Sequence, residues 1–203
     1  MFEAIFHGSI LALGLILPLG VQNVFVFNQG AIQTSFLKAF PAMITASLCD
    51  TLLITLAVLG VSVVVLEYSW LKLVLLLLGV LFLMYMGVMT WRSRPSDEVL
   101  DVNSFTAKRQ ILFALSVSLL NPHAIFDTIG VIGTSSLAYD GIQKMFFSAA
   151  CIAVSWIWFF GLGIVGRLTG KLDKSGIFLI VLNKISALVM WGTAFYIGLT
   201  ILN

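Results

Sequence analysis

Long apolar runs, separated by short polar breaks, fill almost the whole chain. The runs cover about residues 4–27, 39–65, 70–91, 110–134, 143–166 and 177–202. Each is long enough for a helix to cross a bilayer core, which takes about 17–25 residues. The breaks carry turn-forming and charged residues. Asn28-Gln29-Gly30 and Gln33-Thr34-Ser35 end the first run, and Glu67-Tyr68-Ser69 separates the second and third. The longest gap runs from Arg92 to Gln110 and is strongly polar. Tyr139-Asp140-Gly141 and the segment from Gly170 to Gly176 make the last two. The pattern predicts an all-α integral membrane protein with six transmembrane helices.

Composition strengthens that reading. The 203 residues are 60% hydrophobic and only 10% charged, and mean hydropathy is +1.09. Soluble domains average about 25% charged residues, so no soluble domain is expected. The chain reads as a single transmembrane unit, 1–203, with halves of about 1–91 and 110–203 and a linker of about 92–109. The start, Met1-Phe2-Glu3, lacks the basic region of a cleaved signal peptide. A net charge of +2 argues against a nucleic-acid partner. Cys49 and Cys151 form no CxxC and no metal spacing, and read as small buried hydrophobes. No intramembrane nucleophile motif is present, so neither an enzyme nor a cofactor is expected.

Lysine and arginine counts set the orientation. With the N-terminus outside, the loops after runs 1, 3 and 5 hold eight basic residues and the opposite loops hold two, Lys72 and Lys144. The positive-inside rule therefore places both termini outside. Six spans also suggest two three-helix repeats of opposite orientation. A shift of 104 residues puts Pro18 on Pro122, Gly20 on Ala124 and Asn23 on Asp127. Interrupted helices at corresponding places in two inverted halves point to a transporter's binding site.

The polar residues inside the runs carry the chemistry. Asp50 and Asp127 are costly, because a carboxylate at a bilayer centre costs about 2.5–3.5 kcal/mol on insertion scales. In run 1, Gly14, Pro18 and Gln22 share a face, and Pro18 frees a carbonyl near Gly14 that needs a new partner. Gln22 and Asn23 supply amide donors and acceptors there. In run 2, Ser47, Asp50 and Thr51 lie at i, i+3 and i+4, so neighbouring hydroxyls are candidate partners for the carboxylate. In run 4, His123 and Asp127 are four apart, beside the Asn121-Pro122 break. Asp50 and His123 are proton-relay candidates; His123 and Asp127 could equally be two metal ligands. Aromatic rings in the run Trp156 to Phe160 could face a passing cation, though such rings more often serve packing or lipid contact. Lys184, inside run 6, could snorkel to the surface or pair with Asp50. Gly166 and Gly170 make a GxxxG, but Gly170 falls in a predicted loop.

Together, Pro18-Leu19-Gly20-Val21-Gln22-Asn23, Cys49-Asp50 and Leu120-Asn121-Pro122-His123 with Asp127-Thr128 resemble the LysE family of amino-acid exporters. The likeness covers essentially the whole chain and is nearest the branch that exports lysine and arginine. Relatives often carry Pro or Ala where this chain has Val21. The resemblance implies a bacterial inner membrane protein of six helices, exporting its substrate on an ion gradient or the membrane potential. It carries functional positions onto Gln22, Asn23, Asp50, Asn121, Pro122 and Asp127. Asp127 is the carboxylate that points to basic cargo. Expected partners are a basic amino acid, the lipid bilayer and a coupling proton, with a homodimer a mild expectation. A divalent-metal exporter of a related six-helix family is the alternative.

Overall fold

The computed structural model describes residues 1–17, 20–60, 69–92, 106–119, 125, 127–172 and 177–202. These residues are all-helical, with no strand among them. In lipid no water is available to the backbone, so a helix that satisfies its own N–H and C=O groups is the stable outcome for each apolar run.

Helix α1 spans Phe2–Ile16 and α2 spans Val21–Ile32. A 3₁₀ turn, Phe36–Ala39, leads into α3, Phe40–Val58, with Pro41 in its first turn, where no backbone hydrogen bond is lost. Helix α4 spans Ser69–Arg92 and α5 spans Ala107–Leu119. A π-helical segment, Asp127–Gly133, and a 3₁₀ turn, Ser136–Ala138, follow. Helix α6, Gly141–Leu172, and α7, Ile177–Leu202, complete the bundle. Phe36–Val58 and Gly141–Leu172 are each long and apolar enough to cross a membrane alone.

The first run is two helices, α1 and α2, whose axes differ by 81°. Two predicted boundaries are corrected. Asn28-Gln29-Gly30 lies within α2, which continues to Ile32. Gly170 lies within α6, which continues to Leu172. Asn28 finds a partner on α7, and Gly170 lies against the Ala31 backbone of α2, so both helices run on past the predicted ends.

Helix α2 sits at the centre, with nine of its residues buried. Val21 packs with Leu83 of α4, Val117 of α5 and Met190 and Ala194 of α7. Val26 packs with Met43 and Ala46 of α3 and Phe159 of α6. Between α2 and α6 the backbones touch. A Cβ on Gly30 would strike the Gly163 carbonyl, one on Gly166 the Phe27 carbonyl and one on Gly170 the Ala31 carbonyl. Close backbone approach gives dispersion contact where lipid supplies no hydrophobic drive. The Gly166–Gly170 pair is therefore an intrachain seam.

The helices exchange partners between the two halves. Helices α1 and α2 pack on α6, while α5 and the π-helical segment pack on α3. Helices α4 and α7 pack on each other. There Lys184 Nζ lies 5.4 Å from the Trp91 ring centroid, on the exposed face of α7. The two tryptophans Trp91 and Trp191 stand 5.5 Å apart.

Candidate functional site

The break between α1 and α2 builds one side of the site. A helix end leaves its last carbonyls without intrahelical partners. Asn23, in the first turn of α2, reaches back and donates from Nδ2 to the Ile16 carbonyl at 2.7 Å. Its Oδ1 accepts from Trp158 Nε1 at 3.2 Å. Asn23 thus closes the break and ties it to α6. The Ile16 carbonyl gains a side-chain partner. Gly20 caps α2 with extended backbone (φ −81°, ψ 176°), and a Cβ there would meet nothing within 4 Å. Pro18 lies outside the described residues.

Asp50 stands at the junction of three helices. It projects from α3 and is partly buried. Gln22 of α2 donates from Nε2 to its Oδ1 at 3.1 Å. Ser155 of α6 donates from Oγ to its Oδ2 at 2.8 Å. The neighbouring hydroxyls do other work. Thr51 Oγ1 donates to the Ser47 carbonyl at 2.7 Å and accepts from Trp156 Nε1 at 3.0 Å. Ser47 Oγ is buried with no partner among the described residues. The expectation that Ser47 and Thr51 hold the carboxylate is therefore corrected. The Thr51 hydroxyl bonds the preceding turn of its own helix, as serine and threonine side chains commonly do. Lys184 does not pair with Asp50, since it lies over Trp91 on α7.

No cation faces Asp50 among the described residues, and its two donors are neutral. An ionised carboxylate offers about four lone-pair sites. Two are taken, so the group retains acceptor capacity for an ammonium or guanidinium.

The sequence reading missed Ser155 and the role of the tryptophans. Trp156 and Trp158 point their indole N–H groups at Thr51 and Asn23. They line the polar site from α6 and are not simply packing. A lone serine beside two tryptophans in an apolar helix was the available signal. It has meaning only once α6 is known to face α2 and α3.

A line of amides continues from the site along α2. Gln29 is buried and accepts from Gln33 Nε2 at 3.0 Å. Beyond it, Arg167 of α6 donates to the carbonyls of Gln33 and Thr34. Its guanidinium caps the negative end of α2. Near the same stretch, Asn28 Nδ2 donates to the buried Asn183 Oδ1 at 3.0 Å and links α2 to α7.

In the second half, Asn121, Pro122 and His123 lie outside the described residues. Helix α5 spans residues up to Leu119, and Asp127–Gly133 is π-helical. The Asp127 side chain is not among those described; its backbone opens the segment that packs on α3, the helix that carries Asp50. Helices with i→i+5 bonds are rare and are frequent at functional sites. His7 Nδ1 lies 2.9 Å from the Tyr139 hydroxyl. Among the described residues no group of three or more His, Cys, Asp or Glu is placed to hold a metal. Cys49 and Cys151 are free and buried.

Comparison with known proteins gives a consistent result. The family described as LysE type translocator matches residues 13–200. YisU of Bacillus subtilis (strain 168), provisionally named an amino-acid transporter, is 58% identical over 199 residues, covering 98% of this chain and 90% of YisU. The arginine exporter ArgO of Shigella flexneri is 31% identical, covering 94% of this chain and 91% of ArgO. ArgO of Escherichia coli (strain K12) shows the same identity and coverage. No solved structure matches the chain. With the family profile and these relatives matching nearly from end to end, the chain belongs to the LysE type translocator family.

Proposed function

We propose that this protein exports basic L-amino acids, arginine or lysine or both, from the bacterial cytoplasm across the inner membrane. The observation that carries the reading is Asp50: a carboxylate inside the helix bundle with two neutral donors and no cation beside it among the described residues. An uncompensated carboxylate at membrane depth marks a path for something cationic. The arginine-exporter relatives supply the class of cargo.

Transport proceeds by alternating access through six spans with both termini outside, driven by the proton gradient or the membrane potential. The exchange of packing partners supports two inverted repeats: each half's first span lies on the second span of the other half. Gln22 and Asp50 touch, so they form adjoining steps of one polar path. Asp127 provides a further carboxylate, and Asn23 and Asn121 provide amides for the cargo. Asp50 and His123 are the residues for proton coupling. Because the Gly166–Gly170 pair is used within the chain, it lends no support to a homodimer. Nothing in the described side chains favours divalent-metal export.

Efflux of labelled arginine and lysine from loaded vesicles, with and without a pH gradient, tests the proposal. Outward flux of either amino acid is expected, and Asp127→Asn should reduce it. Wild-type arginine efflux in Asp127→Asn would remove that residue from the cation path. Metal efflux without amino-acid efflux would overturn the whole reading.

A further inference from the structure

An apolar groove of about 660 Å³ runs between α3 and α5, away from the polar site. Pro41, Thr45, Leu48 and Leu52 form one wall, and Ile111 and Leu115 the other. Leu48 and Leu52 lie almost opposite Asp50 around α3, at two residues before and two after it. They are 53% and 50% exposed. Along α5 the groove extends from Ile111 to Leu119. At 1.5 Å per residue this is about 12 Å, close to the roughly 15 Å depth of one leaflet of a 30 Å hydrocarbon core.

One end of the groove is basic. Lys38, Pro41, Thr45, Leu48 and Leu52 lie at i, i+3, i+7, i+10 and i+14, so Lys38 heads the first wall. Lys108 heads the second in the same way, at three and seven residues before Ile111 and Leu115. Gln110 Nε2 donates to the Lys38 carbonyl at 2.9 Å and draws the two heads together. Both lysines are exposed, and neither has a carboxylate partner among the described residues. The first turns of α5 and of the Phe36–Ala39 turn hold no acidic residue.

We propose that this groove binds one acyl chain of an anionic phospholipid, with the headgroup phosphate between Lys38 and Lys108. The apolar walls match the chain and the paired ammonium groups match the phosphate. Two basic side chains at a membrane surface correspond to roughly a 10- to 30-fold preference for an anionic over a zwitterionic headgroup.

The test is native mass spectrometry of the purified full-length protein in micelles doped with dioleoyl phosphatidylglycerol or dioleoyl phosphatidylcholine. It requires no cargo, so its outcome is independent of the export reading. The wild type should retain one phosphatidylglycerol with the stated preference. The double variant Lys38→Gln/Lys108→Gln should lose the preference while Lys144→Gln keeps it. Leu48→Trp, which fills the groove and leaves both charges, should lose the bound lipid. Leu52→Trp serves the same purpose if Leu48→Trp does not elute as a single species. Equal retention of the two lipids by the wild type would overturn the proposal, as would an unchanged preference in the double variant. A lipid-free dimer would overturn it too and assign the groove to a second copy of the chain.

Discussion

Replacing Asp50 by Asn removes a charge and almost nothing else. The side chains are nearly isosteric. Gln22 can still donate to Oδ1, and the Ser155 hydroxyl, 2.8 Å from Oδ2, can turn to accept from the new amide. The helix junction should survive, with Tm in detergent close to wild type. The cargo contact should not. A hydrogen bond to a charged group contributes about 1.5–3 kcal/mol, and each 1.4 kcal/mol is tenfold, so arginine efflux at limiting concentration should fall about 10- to 150-fold. Ser155→Ala removes one of the two donors and leaves the charge, so its effect should be smaller. Because Ser155 and Asp50 share one hydrogen bond, the double variant should be non-additive. The assay is initial efflux of labelled arginine from proteoliposomes, normalised to folded protein. Wild-type efflux by Asp50→Asn would refute the cation-contact argument. Strict additivity of the two substitutions would refute the Ser155 geometry.

Three further predictions concern the framework. Gly30→Ala drives a Cβ into the Gly163 carbonyl, an overpacking of about 1–3 kcal/mol, and should lower Tm. Gly161→Ala meets nothing within 4 Å and should raise stability by about 0.5–1 kcal/mol; equal Tm shifts of the same sign would refute the seam. Arg167→Ala leaves the Gln33 and Thr34 carbonyls without their guanidinium, at a cost of about 1–3 kcal/mol. Thermal unfolding should show that loss, with efflux per folded molecule retained. Asn23→Ala strips partners from the Ile16 carbonyl and the Trp158 indole. It should lower both Tm and efflux, and unchanged values of both would show that Asn23 does not hold the break.

The positions of the helices were largely legible in the apolar runs, and so was the existence of a break after Ile16. The run boundaries erred where polar residues look inward. Asn28, Gln29 and Gly30 resemble a loop in sequence, yet they pair with Asn183, Gln33 and the Gly163 backbone inside the bundle. Gly170 looked like a loop residue because the following residues are charged, but α6 carries it against Ala31. Arg167, counted from sequence as a loop charge, is the cap of α2.

The candidate site divides in the same way. By itself the sequence determined that Asp50 and Gln22 are intramembrane polar groups needing partners, because hydrocarbon cannot solvate them. It left open who those partners are. Two nearby hydroxyls on the same helix, Ser47 and Thr51, and a lysine in the last span were reasonable candidates, and the structure uses none of them. Which side chain meets the carboxylate depends on how far each helix is rotated and how deep it sits relative to its neighbours. Those two quantities are set by contacts distant in sequence, above all the glycine seam that lets α6 lie directly on α2 and bring Ser155 to Asp50. Local pattern determines that a residue is buried and polar; only the packing of helices decides what it touches.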